Sequence, residues 1–152
     1  KTTPTYLDQL AHIEGTKWER KPEAKFSAAQ DSVLKEDKWV IEGNYSALMP
    51  QRYAKATCVI WMRNDSRIAF LWHYIKRSFF GAKNRCGGLK DAGREFSWEL
   101  VHYTFGRARR NYQKYIRIFE TRNDVPVYII HSFKDRKKLY KNLNLNQNQD
   151  RR

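Results

Sequence analysis

The chain has 152 residues, of which 41% are hydrophobic and 14% aromatic, and this composition predicts one folded domain and argues against disorder. No apolar run approaches the roughly 18 to 20 residues that a membrane-spanning helix needs, so we expect no membrane partner. The net charge of +14 is concentrated in residues 63–152, where 21 Lys and Arg oppose eight Asp and Glu, and this predicts an anionic partner. Two cysteines without disulfide or metal spacing fit free thiols in a reducing, cytoplasmic compartment.

Predicted strands and helices alternate along the chain. Short apolar runs predict strands at 5–10, 39–41, 56–62 and 125–131. Apolar residues at three- and four-residue steps predict long helices at 23–36, 67–80 and 95–120. Weaker patterns predict two short helices, at 47–54 and 134–143. This order predicts one α/β domain over 4–143, a parallel sheet between two layers of helices, followed by a flexible tail at 144–152.

Two segments of the chain have a composition that predicts their local environment. The run at 56–62 is apolar at nearly every residue, which predicts a strand covered on both faces. The stretch 81–94 contains four glycines and no apolar periodicity, which predicts a mobile, lid-like loop. Ligands of open parallel sheets bind at the carboxyl ends of the strands, so we expect function at the ends of the first two predicted strands.

Four segments carry a resemblance to a known family. They are Leu7-Asp8-Gln9-Leu10, Trp39-Val40-Ile41-Glu42-Gly43-Asn44-Tyr45, Cys58-Val59-Ile60-Trp61-Met62 leading to Arg77, and Arg107-Ala108-Arg109-Arg110. The chain from about residue 4 to 143 is similar to the adenylate-kinase-like P-loop proteins of the DNA topology modulation (FlaR-type) family. The resemblance implies a P-loop kinase-like α/β fold that binds ATP and Mg²⁺, a phosphate acceptor site and a basic lid.

One part of the family pattern is missing. Such proteins open with a strand, the motif GxxxxGK[ST] and a helix, and the backbone N–H groups, Lys and Ser/Thr of that motif hold the nucleotide phosphates and Mg²⁺. The motif occurs nowhere in the 152 residues. The first strand of this fold lies in the centre of the sheet, so the strands at 39–41 and 56–62 would lack the neighbour between them. We expect a longer polypeptide that supplies this segment, the alternative being a sheet that closes up without it.

The resemblance implies catalytic roles for three residues. Asp8 would orient an acceptor hydroxyl or assist Mg²⁺, and its alternative role is a helix or turn cap. Arg77 and Arg85 would fold over the transferred phosphoryl group and stabilise its charge, the alternative being a solvated surface loop. The alternatives stay open at this point.

Further residues would bind the substrate. Gly43 permits close backbone approach, Asn44 offers a donor and an acceptor, and Tyr45 offers a ring for stacking; together they would bind the acceptor, or else form an ordinary turn. Arg107 and Arg110 share a helix face that would contact phosphate, or else solvent.

The last predicted strand is followed by two residues with an expected role. By analogy with the family, Ser132 and Lys134 would lie near the base of the nucleotide. The four histidines show no metal spacing, so we expect no resident metal site built by the protein alone.

Three functions are compatible with the sequence. The first is a nucleotide-binding protein of the small-kinase type, which transfers a phosphoryl group from ATP to an unidentified nucleotide or small acceptor and is inactive without the missing loop. The second is a basic nucleic-acid-binding protein without sequence specificity. The third is an inactive relative that acts by association, as a monomer or homodimer.

Overall fold

The computed structural model describes residues 2–63, 87–89 and 108–143, together with residues 68, 71, 72, 75 and 76, which are helical. The elements follow in the order β1 (Pro4–Tyr6), α1 (Leu7–Ala11), α2 (Glu23–Val33), β2 (Val40–Glu42), α3 (Met49–Lys55), β3 (Val59–Met62), α4 (Ala108–Phe119), β4 (Val127–Ile130) and α5 (Phe133–Asn142). None of the helices in the described ranges is both long enough and apolar enough to cross a membrane. The predicted tail at 144–152 and most of the loop at 81–94 lie outside the described residues.

The strands form two separate parallel pairs. β1 pairs with β2, with Pro4 opposite Val40, and β3 pairs with β4, with Val59 opposite Val127. The mixed α/β class and the parallel pairing are confirmed, but the described strands do not form the single three-layer sheet that we predicted. β2 and β3 do not pair with each other, so the sheet has not closed up between them.

The first parallel pair packs on its own apolar cluster. Leu7, Ala11, Phe26 and Leu48 are buried there, and α1 and α2 close over it. The strand predicted at 5–10 is wrong beyond Tyr6, because the chain turns into α1 at Leu7. A helix places residues four positions apart on one face, and this lets both Leu7 and Ala11 enter the core.

The second parallel pair packs on a cluster rich in aromatic rings. Trp61 of β3 contacts the rings of Tyr112, Tyr115 and Phe119 on α4, with centroid separations of 4.8, 5.9 and 5.4 Å. The expectation that this strand is covered on both faces is wrong. Alternate residues of a strand point to opposite faces, and Ile60 is 51% exposed on the face away from α4.

A set of hydrogen bonds at the end of α3 joins residues 2–63 to residues 108–143, which are the two halves of the described chain. The Tyr53 hydroxyl lies 2.9 Å from the carbonyl oxygens of both Phe119 and Arg122. In return, the Arg122 guanidinium donates to the carbonyl oxygens of Tyr53, Ala54 and Ala56 at 2.9, 2.8 and 3.3 Å. The last carbonyls of a helix lack partners within it, so Arg122 satisfies groups that α3 leaves open.

Candidate functional site

Asp8 and Tyr45 meet where β1 and β2 end. The strands are parallel, so the residues that follow them lie at the same edge of the pair. The Tyr45 hydroxyl donates to Asp8 Oδ1 over 2.9 Å. The N-cap of α1 is Tyr6, so Asp8 is not the residue that caps this helix.

Tyr45 is held in place from both ends. Its ring packs edge-to-face on Phe26, with centroids 4.9 Å apart, and its hydroxyl reaches Asp8. Burial, reinforced by the negative charge of Asp8 and by the hydrogen bond to it, raises the pKa of Tyr45 above its ordinary value. Tyr45 is therefore a protonated donor at neutral pH, and its ring belongs to the core cluster instead of standing free to stack on a base.

Gly43 allows the end of β2 to lie against α1. Its φ is 137°, in the region that favours glycine, and a Cβ built on it would lie 2.7 Å from the Cβ of Leu7. The close approach predicted for this glycine is made here to Leu7. Any other residue would separate Asp8 from the segment that contains Tyr45.

Asn44 lies at the surface and contacts the second half of the molecule. Its Oδ1 accepts a hydrogen bond from the hydroxyl of Tyr115 on α4. Tyr115 is only 4% exposed, and nothing in the sequence marked it as a site residue. The only available signal was the spacing of Tyr112, Tyr115 and Phe119 along one helix face, which predicts burial and does not identify a polar partner.

The described part of the glycine-rich loop lies beside the same strand end. Gly87 has a φ of 79°, and a Cβ at this position would overlap the ring of Tyr6. The neighbouring Gly88 accepts a hydrogen bond on its carbonyl oxygen from Gln9 Nε2 over 3.3 Å. Tyr6 and Gln9 flank the segment that contains Asp8, so residues 87–89 border the candidate site.

A buried arginine lies beneath the site, and the sequence reasoning did not find it. Arg52 is 6% exposed and donates from Nη1 to Gln30 Oε1 over 2.9 Å and from Nη2 to the Tyr45 carbonyl over 3.2 Å. Gln30 is fully buried and also donates to Gln51 Oε1 over 3.2 Å. Burial lowers the pKa of Arg52. Arginine is rarely buried, and no sequence pattern marks this one.

The structure does not test the roles predicted for four arginines. Arg77, Arg85 and Arg107 lie outside the described residues. The backbone of Arg110 lies in the first turn of α4. Their expected roles as phosphate-binding groups stay predictions.

Ser132 is used as a helix cap. Its Oγ accepts from the Asp135 backbone N–H over 3.2 Å, and the Asp135 carboxylate accepts from the Ser132 backbone N–H over 3.0 Å. This reciprocal capping box begins α5. The Ser132 hydroxyl also donates to Asp135 Oδ2 over 2.8 Å, and this bond is the main reason that the pKa of Asp135 lies below its ordinary value. Lys134, the other residue predicted near the nucleotide base, is exposed.

The residues present do not fit a Mg²⁺ ion or the triphosphate of a phosphoryl donor such as ATP. No group of three His, Cys, Asp or Glu that would hold a metal ion exists within the described ranges. The sequence contains no GxxxxGK[ST] loop to surround phosphates. A carboxylate oriented by a phenol, with an exposed amide nearby, suits a ligand that carries hydroxyl groups.

Comparison with known proteins finds no matching family model, no matching curated protein and no matching solved structure. Interpretation of the site therefore depends on its geometry, and the family resemblance stays a prediction.

Proposed function

We propose that this protein binds a nucleotide or another small phosphorylated hydroxyl compound at the edge formed by the ends of β1 and β2. The site would correspond to the acceptor side of a small ATP-dependent kinase. The observation that supports this proposal is the 2.9 Å hydrogen bond from Tyr45 to Asp8 across the ends of two parallel strands. The bond joins two residues that lie 37 positions apart, each of which the sequence marks as a candidate site residue.

The chemistry of Asp8 suits a hydroxyl ligand. A carboxylate accepts several hydrogen bonds, and the Tyr45 hydroxyl provides one of them to Asp8. A ligand hydroxyl that donates to Asp8 would be held in one orientation, and its oxygen would become more nucleophilic as the proton moves toward the carboxylate. Positioning of this kind contributes much of the catalysis in phosphoryl transfer. Transfer itself also requires a loop that holds the phosphoryl donor, and the 152 residues contain no such motif.

The neighbouring loop adds support. Residues 87–89 border the site through Tyr6 and Gln9. In sequence, the same loop carries Lys83, Arg85, Lys90 and Arg94. Cations carried by this loop would favour a ligand that already carries phosphate.

A thermal-shift panel tests the proposal. Nucleosides, nucleoside monophosphates and nucleoside triphosphates are added with and without Mg²⁺. A ligand at one hundred times its Kd stabilises the native state by about 2.7 kcal/mol. For a chain of this size that raises Tm by roughly 5 to 10 °C. If no member of the panel moves Tm, the proposal is wrong.

A matched pair of variants locates the binding. Asp8→Asn keeps the size of the side chain but removes its charge, so we expect it to weaken the response to the active ligand at least tenfold. Asp31→Asn makes the same change on an exposed position of α2 and should leave the response unchanged. Equal effects of the two substitutions would place the ligand elsewhere.

Nucleic-acid binding is a second candidate, and one observation favours it. Phe133 at the start of α5 is 61% exposed, and the cations of Arg136 and Lys137 lie 4.6 and 5.0 Å from its ring centre. The same helix presents Lys138 and Lys141 to solvent. Exposed cations around an aromatic ring resemble the surfaces that bind single-stranded nucleic acid without sequence preference.

The salt dependence of oligonucleotide affinity tests this second candidate. Each lysine that neutralises a phosphate contributes about one unit to the slope of log K against log salt concentration. The triple substitution of Lys134, Lys138 and Lys141 to Gln should therefore reduce the slope by two to three units, on the same principle. A control triple at exposed lysines of the first half, Lys17, Lys25 and Lys35, changes the net charge equally. Equal loss in both triples would show that α5 is not the binding surface.

A further inference from the structure

Arg52 carries a positive charge that no described side chain neutralises. It is 6% exposed, and its guanidinium donates to the Gln30 side-chain oxygen, the Tyr45 carbonyl and the Met49 sulfur at 2.9, 3.2 and 3.7 Å. All three acceptors are uncharged. Within the ranges that the structure describes, no Asp or Glu forms an ion pair with Arg52.

Such an arrangement is costly for a fold. Removing a charge from water costs several kcal/mol, and hydrogen bonds to neutral acceptors satisfy the donors without cancelling the charge. Arg52 lies in the last turn of α3, where the helix dipole favours a cation, but that effect is worth only about 0.3 to 1 kcal/mol. Replacing Arg52 by an apolar side chain would remove that cost but leave the buried oxygen of Gln30 without this donor, at a cost of about 1 to 3 kcal/mol. Among the described residues the charge has no anionic partner, so an anionic ligand nearby would compensate it.

The position of Arg52 indicates where that partner binds. Its guanidinium donates to the backbone carbonyl of Tyr45, and the preceding residue, Asn44, accepts a hydrogen bond from the hydroxyl of Tyr115 on its Oδ1. Because Oδ1 accepts from Tyr115, the amide of Asn44 has a fixed orientation with its Nδ2 as the remaining donor. That nitrogen donates to no residue in the described part of the chain, and Asn44 is exposed.

We propose that the buried charge of Arg52 makes the surface at Asn44 and Tyr45 selective for a dianionic phosphate monoester over a neutral hydroxyl compound. This inference rests on the proposed function and deepens it by naming the class of substrate. The Asn44 amide donates to a phosphate oxygen, and Arg52 attracts the phosphate from beneath without touching it. Arg52 is a positioning residue in this scheme, because it acts through its field and through the backbone of Tyr45.

Two substitutions at Arg52 separate charge from packing. Arg52→Met removes the charge and keeps much of the volume, whereas Arg52→Lys keeps the charge. The probes are inorganic phosphate, a nucleoside monophosphate and its parent nucleoside, at constant ionic strength set with chloride. Wild-type protein should gain Tm with phosphate, and more with the monophosphate than with the nucleoside. In Arg52→Met the unliganded Tm should fall, because Gln30 and the Tyr45 carbonyl lose a donor, and phosphate affinity should fall by about tenfold or more, as expected for one nearby charge in a partly buried site. Arg52→Lys should retain a measurable response.

The outcomes distinguish this inference from the proposed function. If nucleoside and monophosphate stabilise the protein equally, or if Arg52→Met keeps its phosphate response, the inference is overturned while the proposed function stands. If phosphate binds through Arg52 but no nucleotide binds, the anion site stands and the proposed nucleotide binding fails. Because Arg52 also donates to buried Gln30, an Arg52→Met chain that does not fold is replaced in this test by Asn44→Ala. Asn44→Ala provides an independent test at an exposed position, and an unchanged phosphate response in that variant would also overturn it.

Discussion

The two halves of the molecule, residues 2–63 and 108–143, are built differently and differ in charge. Residues 2–63 contain a complete parallel pair, β1 and β2, with its own apolar cluster, whereas the second pair and its cluster combine β3 of the first half with β4 of the second. Residues 2–63 carry nine Lys and Arg against eight Asp and Glu, whereas residues 108–143 carry ten against three. The nearly neutral half supplies Asp8, Tyr45 and Asn44 to the candidate site, and the basic half supplies charge at the surface.

Neither half is expected to be stable alone. β3 and β4 lie in different halves, so separating the halves removes the backbone partners of both strands and exposes the apolar cluster that they share. The site also depends on the contact between the halves, because the hydroxyl that orients Asn44 comes from Tyr115 on α4. The geometry of the site and the stability of the contact between the halves are therefore coupled.

The largest effect is expected where the halves join, at Tyr53. The side chain is 1% exposed and its hydroxyl contacts the carbonyls of Phe119 and Arg122. Tyr53→Ala should lower the free energy of unfolding by about 3 to 5 kcal/mol, because it leaves a large cavity between the halves. Urea unfolding followed by fluorescence and by circular dichroism measures the loss and shows whether the two transitions still coincide.

Tyr53→Phe is the control for this substitution. It removes only the hydroxyl and should cost about 1 to 2 kcal/mol. If Tyr53→Ala costs no more than Tyr53→Phe, the ring does not hold the halves together.

The second effect lies within the first half, at Gly43. Its φ of 137° disfavours a side chain, and a Cβ would also overlap Leu7. Gly43→Ala should therefore cost about 2 to 3 kcal/mol and weaken ligand binding, because it displaces Asn44 and Tyr45. Gly15→Ala is a matched control, since Gly15 also has a positive φ, of 77°, but a Cβ there meets no atom within 4 Å. It should cost about 1 kcal/mol and leave binding intact. Equal losses in urea unfolding would show that the approach to Leu7 is unimportant.

The sequence predicted the elements well where the signal is local. The bounds of β2, α2 and α5 agree with the predicted ranges to within about three residues, because apolar spacing along a short segment reflects which face is buried. The site edge followed from the same logic, since parallel strands place the residues after them together.

The sequence did not predict features that depend on distant partners. The start of α1 at Leu7 reflects the fit of two side chains into a core formed by α2 and Leu48. The burial of Arg52 requires Gln30, which is 22 positions away, and the contact of Asn44 with Tyr115 spans 71 positions. Residue type and spacing carry no information about such pairs, because the partners are selected only when the helices pack.

A third, smaller effect concerns pH and the first half alone. The pKa of Tyr45 in the folded state lies above that of a free tyrosine, which is about 10. The unfolded chain therefore loses this proton first. The corresponding stability is fully present below pH of about 10 and declines as pH rises further. Tyr45→Phe should lose about 1 kcal/mol at neutral pH with the bond to Asp8, and should then be less sensitive than wild type between roughly pH 9 and 11. Urea midpoints across this range measure both quantities, and identical alkaline profiles would contradict the assignment.

The smallest effect is expected at the exposed pair Arg122 and Asp124, which borders the contact between the halves. Asp124 Oδ2 accepts from Arg122 Nη2 over 2.6 Å, and this bond is the main cause of the lowered pKa of Asp124. A carboxyl group with a lowered folded pKa stabilises the protein above its unfolded value of about 3.9, and that contribution disappears as pH falls through the folded pKa. Asp124→Asn should therefore lower Tm slightly at pH 7 and not at all in strong acid, and high salt should reduce the difference because the pair is exposed.

Arg122→Gln should lower Tm more than Asp124→Asn at pH 7. The arginine also donates to the carbonyl oxygens of Tyr53, Ala54 and Ala56 at the end of α3, and those bonds do not depend on the carboxylate being ionised. The difference between the two variants should persist in acid, where Asp124 is protonated in both states. If the two substitutions are equally harmful at pH 7, the ion pair itself fixes the arginine against α3. The junction between the halves would then weaken as pH falls, and ligand binding at Asn44 would weaken with it.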